Sequence, residues 1–200
     1  MTGRRAQTHA DNRHRIFTVA RAIVDAEGAP AVTVRRVATE IGYTAPIVYQ
    51  HYADKAALLD AVMVDAYDRL AAAMRNARGD DPSQGPRAIL HAYLDFAAAN
   101  HRVFLFMHGM GGVDIPPARR LEAAHDVVAV TVDTLLRWRT AQPHPHAVDV
   151  AAQAEVLWAV ATGLALTAFA QPDGFDRVHA LAALALEPLL TAWGDERDDR

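Results

Sequence analysis

Apolar side chains recur at offsets of three, four and seven along most of this 200-residue chain, the spacing that lines one face of a 3.6-residue helix. Ile16, Val19, Ala20, Ile23 and Val24 form one such stripe, closed by Gly28 and Pro30. Val34, Val37, Ala38 and Ile41 form a second, opened by Thr33 and closed by Gly42. Thr33 can cap the free N–H groups of a first turn, and Gly42 suits the left-handed residue that ends a helix. Arg36 stands where a capping box would place Glu or Gln, so only half of that motif is present. The chain restarts with Thr44 as cap and Pro46 in the first turn, where a missing N–H costs little. This predicts a short helix reaching about Tyr52, with Val48 and Tyr52 turned inward. Asp54 caps a longer helix over about 54–78, which carries Leu59, Val62, Met63, Ala66 and Leu70 and ends at GDDPSQGP, residues 79–86.

Beyond that loop, helical spacing returns at about 87–99, 102–108, 118–140, 147–170 and 176–193. Period-two runs bounded by turn residues are not evident, so the expected class is all-α. Ala159, Gly163 and Thr167 stand at four-residue steps, a ridge of small side chains on which a second helix backbone can approach closely. The same ridge can equally pack inside one subunit. Leu181, Leu184, Leu189 and Leu190 mark the last helix, which Pro188 is expected to kink. GMGGVDIPP at 109–117 lacks both the G-x-G-x-x-G spacing and a preceding strand, which argues against a nucleotide loop.

Two helices joined by a tight glycine turn, the second presenting its N-terminal end, have the geometry that enters a DNA major groove. On the second helix Thr44, Ala45, Pro46 and Ile47 fall in the first turn, where small side chains allow close approach and methyl groups can touch thymine. Tyr49 and His51 suit phosphate oxygens, which position a protein without reading sequence. Lys55 in the first turn after Asp54 makes sense beside a phosphate, and Arg35 and Arg36 complete the candidate contacts. Taken singly, Tyr49, His51 and Lys55 are ordinary surface residues; the caps and glycine turn in register give them meaning together.

From Ile16 to about Met63 the chain resembles the N-terminal domain of the TetR family of bacterial transcriptional repressors. The resemblance rests on AEG at 26–28, TVRRVA at 33–38, GYT at 42–44 and VYQHYADKAAL at 48–58. Ile47 replaces a common Thr of the family pattern and Tyr52 the usual Phe. The resemblance implies backbone contacts from Thr33, Tyr49, His51 and Lys55 and base reading by Thr44, Ala45, Pro46 and Ile47. It also implies a homodimer formed by the last two long helices, a near-palindromic double-stranded operator, and release by a small-molecule effector. The expected organisation is a three-helix helix-turn-helix DNA-binding domain at 1–56 and a helical ligand-binding and dimerisation domain at 57–200, joined by the 54–78 helix.

Composition refines this picture. The net charge of −4 is uneven: residues 1–55 hold seven Arg and one Lys against five acids, so the positive charge gathers at the helix-turn-helix. Arg4 and Arg5 are expected to precede the first helix and read as a disordered tail, or as a flexible arm for a minor groove. Absence of cysteine excludes disulfides, thiolate catalysis and cysteine-based zinc sites. The first residues have no apolar segment, so a cytoplasmic location is expected. The strongly apolar run at Val156–Ala170 falls short of the roughly 18–20 residues that cross a bilayer, so no membrane is expected.

Tyr93, Phe96, Phe104, Met107, His108, Met110, His125, Trp138 and Trp158 are the residue types that line small-molecule pockets. Of these Tyr93, Phe96, Phe104, Met107, His108, His125 and Trp158 are the candidate effector contacts. At helical spacing, aromatics and methionines equally form plain core. No cofactor and no catalytic or metal site is expected: Ser83 is the lone serine, H-E-x-x-H and P-loop patterns are missing, and His144 and His146 near Asp149 read as a Pro-rich loop. The competing classes are a helical protein–protein adaptor and a small metal-dependent enzyme. A steep salt dependence of binding separates DNA recognition from the adaptor, and stoichiometric metal surviving dialysis would revive the enzyme.

Overall fold

The computed structural model describes residues 2–142 and 149–194, and within them the chain forms ten α-helices and no strand. These are α1 (Thr2–Glu27), α2 (Val34–Glu40), α3 (Ala45–Tyr49), α4 (Lys55–Ala77), α5 (Gly85–Ala99), α6 (His101–Met107), α7 (Pro117–Ala123), α8 (His125–Thr140), α9 (Val150–Phe169) and α10 (Gly174–Gly194). The all-α expectation holds. Two compact units divide them: residues 1–67 with 100–124, and residues 68–99 with 125–200. Helix α4 gives its first half to one unit and its second half to the other.

The first unit is built on α1. Its Ile16, Ala20, Ile23 and Val24 are all buried, as the stripe predicted, and they pack with α2 and α6 around Val37, Ala38, Phe104 and Phe106. Leu58, Leu59, Val62 and Met63 of α4 complete this core. Polar ties reinforce it: Arg119 of α7 donates to both carboxylate oxygens of Asp60 at 2.6 and 2.8 Å. The Tyr67 hydroxyl donates to the Met107 carbonyl at 2.9 Å, and burial pushes that phenol up to about 12.

The second unit packs α5, α8, α9 and α10 against one another. Helix α9 buries Gln153, Leu157, Ala161 and Ala165 at four-residue steps, and α10 buries Val178, Ala182, Leu186 and Leu190 in the same rhythm. Asp149 caps α9 by accepting from the Ala151 and Ala152 amides at 3.0 and 3.1 Å.

Several boundaries differ from expectation. Helix α1 begins at Thr2, so Arg4 and Arg5 lie within it and do not precede it. The reason is compositional: that segment has no Pro and no apolar stripe, and a helix there leaves no periodic signature. The segment expected as one helix over 118–140 is two, because the chain breaks at Ala124 between α7 and α8. No Gly or Pro marks that break. Helix α3 stops at Tyr49, with a turn carrying the chain to His51. Helix α10 continues to Gly194 with Pro188 inside it. The apolar run at 156–170 belongs to a longer helix: α9, with 20 residues, is long and apolar enough to cross a membrane by length and composition, against the shorter run counted in the sequence. His144 and His146 lie outside the described residues.

Candidate nucleic-acid interface

Three local devices shape the α2–α3 region. Thr33 has extended backbone, and its hydroxyl accepts from the Arg36 amide at 3.1 Å, as a helix cap does. At the other end Gly42 sits at φ +75°, a left-handed conformation that glycine adopts without strain. Its amide donates to Thr39 O at 3.0 Å and that of Tyr43 to Ala38 O at 2.8 Å, the paired closing bonds of a Schellman motif. Asp54 opens α4 by accepting from the Ala57 amide at 2.8 Å. Together these set α2, the turn and α3 at fixed register before any packing is considered.

Packing then fixes which side chains face out. Val48 and Tyr52 are buried as predicted, while Tyr49 keeps 54% of its surface exposed. Thr44 and Pro46 are exposed; Ala45 and Ile47 are half-buried, so the expected reading turn splits into an open and a partly covered pair. Thr44 occupies the cap position with extended backbone, but its side chain makes no capping bond, contrary to expectation. From α1, Arg15 donates to the Ile41 carbonyl at 2.9 Å and lies 5.5 Å from the Tyr43 ring, so it braces the glycine turn. Sequence reasoning missed this residue because helical spacing does not show which carbonyl a long side chain reaches.

The candidate cations fall into different environments. Arg35 is exposed and makes no ion pair among the described residues. Arg36 is engaged: it forms a bidentate pair with Glu27 at 2.6 and 2.8 Å and reaches Glu40 at 3.0 Å. Those bonds hold the Glu27 carboxyl below its ordinary range and raise the guanidinium further. Lys55 donates to the Pro30 carbonyl at 3.3 Å, which leaves two ammonium hydrogens for other acceptors. His51 is half-buried with its ring 4.1 Å from that of His9 on α1, and its Nδ1 is buried without a hydrogen-bond partner. Burial, then the His9 and Arg13 charges, hold the His51 imidazole below its ordinary range.

The expected effector residues do not gather in one place. Within the second unit, a cavity of about 20 Å³ is lined by Met74, Ile89, Leu90, Tyr93, Val127, Thr131, Leu157, Trp158 and Ala161. Tyr93 and Trp158 are the two predicted contacts found there. The lining hydroxyls are already occupied: Tyr93 shares a 2.8 Å bond with Thr162, and Thr131 donates to Val127 O at 2.9 Å. Phe96 is buried in the same unit with the Arg69 guanidinium 5.8 Å from its ring centre, and His125 is exposed at the start of α8. Phe104, Met107 and His108 belong to the first unit. There His108 stacks on Phe104 at 4.2 Å, bonds the Phe104 carbonyl at 2.9 Å, and has its imidazole held low chiefly by burial. Phe104 and Met107 are buried in that unit and His108 is half-buried.

A glycine-closed helix pair with a capped entry and an exposed second helix defines a helix-turn-helix protein. Residues 16–62 match the family model described as bacterial regulatory proteins, tetR family. None of the curated proteins matches the sequence. Among solved structures the fold is similar to a protein of unknown function from Rhodococcus sp. RHA1, with TM-score 0.72, 23% identity, and coverage of 88% of this chain and 94% of that one. It is also similar to the transcriptional regulator FadR from Bacillus subtilis in complex with stearoyl-CoA, with TM-score 0.70, 10% identity and coverage of 87% and 97%. A third likeness is SmeT, the repressor of the Stenotrophomonas maltophilia multidrug efflux pump SmeDEF, with TM-score 0.66, 21% identity and coverage of 92% and 91%.

Proposed function

We propose that this protein is a homodimeric transcriptional regulator, a repressor that binds a near-palindromic double-stranded operator and leaves it when a small molecule binds. The observation that carries this reading is the exposed Thr44, Pro46 and Tyr49 on a helix whose register is set by the Thr33 cap and the Gly42 turn. In the bound state Thr44, Ala45, Pro46 and Ile47 read base edges, while Thr33, Arg35, Tyr49, His51 and Lys55 hold phosphate oxygens. Arg36 joins them with the two N–H donors that Glu27 and Glu40 leave unused, or by giving up those carboxylates. DNA contact is assigned to residues 1–56 and regulation to 57–200. Selection of fragmented genomic DNA on the immobilised protein, followed by sequencing, tests the reading; an enriched two-fold motif is expected, and its absence overturns it.

The α9–α10 face supports the dimer. Ala159, Gly163 and Thr167 are all exposed, Val156 is 41% exposed and Leu184 73%. Only 28% of the apolar stretch of α9 is buried within the subunit, and a two-fold helical seam covers such a face. The seam places two α3 helices about one DNA turn apart, roughly 34–36 Å.

The second-unit cavity supports an effector that is mainly apolar and uncharged, because its lining carries no ionisable acid or base apart from the already bonded Tyr93 phenol. At about 20 Å³ it holds one water-sized molecule, against roughly 300 Å³ or more for a small-molecule site. Binding in this cavity requires opening, and the effector's preference for the opened conformer is what drives release. Helix α4, shared by both units, is the assigned carrier of that change.

A further inference from the structure

We propose that His9 and His51 form a joint phosphodiester-binding site that takes up a proton when DNA binds, so that α1 supplies a DNA contact beside the helix-turn-helix. The inference rests on the DNA-binding reading and adds a residue and a chemistry to it.

The two rings meet although their residues lie on different elements: the centroids are 4.1 Å apart, tilted at 47°. His9 is exposed, and Arg13, one helical turn further along α1, lies 5.3 Å from the ring of the neighbouring Tyr52. Among the described residues the groups whose charge acts on His51 are His9 and Arg13, both from α1. No carboxylate is among them. In the free protein burial, then the neighbouring His9 and Arg13 charges, hold the His51 imidazole below its ordinary range, and its Nδ1 has no hydrogen-bond partner.

A buried nitrogen without a partner is costly to keep, and native structures usually satisfy such atoms. A phosphate placed at this corner reverses the balance. It supplies the negative charge that the cluster lacks, accepts from an imidazolium N–H, and screens His51 from His9 and Arg13. The sign follows directly. His51 has a low affinity for protons when free and a higher one beside a phosphate, so DNA binding is accompanied by proton uptake. Affinity is then greatest below the free-protein value and declines as pH rises through the DNA-bound value.

The test measures binding of a 30-base-pair duplex of arbitrary sequence at low salt, by fluorescence anisotropy with the full chain, at pH 6 and pH 8. A phosphate site needs no operator, and one linked proton changes affinity by at most about tenfold per pH unit. The expected result is three- to tenfold tighter binding at pH 6, with the slope reduced by half or more in His9→Gln and abolished in His51→Gln. Since His9 is exposed, His9→Gln tests the idea without threatening the fold. Imidazole ¹H–¹³C NMR of the same samples is expected to show the His51 titration moving to higher pH when the duplex is added. Binding with no pH slope beyond that of His51→Gln, or a His9→Gln protein that keeps wild-type slope and affinity, overturns the proposal while leaving DNA binding intact. Failure to bind the duplex at any pH overturns both readings together.

Discussion

The α2–α3 pair of the first unit and the α9–α10 pair of the second are both helical hairpins with an outward face, but those faces are built on opposite principles. The first is polar and locally braced: Thr33 and Asp54 cap, Gly42 turns, and Arg15 and Arg36 tie the ends down. The second is apolar and bare, with Val156, Ala159, Gly163 and Leu184 exposed. A face meant for a hydrated polyanion gains from preset side-chain positions, since hydrogen bonds need direction. A face meant for another copy of itself gains from small, smooth apolar surface, since burial is non-directional and close approach governs packing.

The largest test of that contrast is Gly163→Arg. A Cβ at Gly163 meets nothing within 4 Å in the subunit, so the monomer has room for the side chain. If the seam lies there, two-fold symmetry places the charge in the interface twice. The dimer is expected to weaken by a hundredfold or more, given roughly 3–5 kcal/mol for an unpaired buried charge. Analytical ultracentrifugation reads this directly, with circular dichroism unchanged. A dimer of undiminished affinity would show that α9 faces water, and the comparison would lose its second half.

On the polar face, Tyr49→Ala and Lys55→Ala are each expected to weaken DNA binding by about three- to tenfold across all sequences. Loss of the Lys55 cation is also expected to lower the salt slope by about one. Both side chains are outside the core, Tyr49 being 54% exposed, so melting temperature is expected to hold within about 2 °C. Altered sequence preference with unchanged salt slope would move Tyr49 from phosphate to base contact.

The same contrast explains how much was legible in the sequence. Caps and the glycine turn are local, and Thr33, Gly42 and Asp54 did in the structure what their positions foretold; Thr44 took the cap position without the bond. The apolar stripe of α1 was equally readable, but its polar N-terminal extension and the break at Ala124 left no periodic or Gly/Pro mark. Contacts between distant segments were invisible: Tyr93 meets Thr162 across 69 residues, and His9 meets His51 from another helix. This is why one expected pocket became a cavity holding Tyr93 and Trp158 and a separate cluster holding Phe104, Met107 and His108. Residue type left open which of these side chains meet; only the packing within each unit showed it.

A matched pair of carboxylates gives the smallest and most discriminating comparison. Glu27 is held by Arg36 in the first unit, and Glu187 by Arg87 at 2.5 and 2.6 Å in the second; both carboxyls lie below the ordinary range, chiefly through the arginine hydrogen bond. A depressed folded-state value means that each pair stabilises the fold above the unfolded glutamate value of roughly 4.3 and loses that contribution as pH falls through the folded value. Both pairs are solvent-exposed, so Glu27→Gln and Glu187→Gln are expected to lower the melting temperature by under about 2 °C at pH 7, and by less as the pH falls below the unfolded glutamate value. Where they differ is function. Glu27→Gln loosens the clamp on Arg36, leaving Glu40 as its carboxylate partner, and is expected to strengthen DNA binding about twofold if the freed guanidinium reaches a phosphate. Glu187→Gln is expected to leave DNA affinity unchanged. Equal effects of the two substitutions on DNA binding would remove Arg36 from the interface and leave its pair with Glu27 as a purely structural tie between α1 and α2.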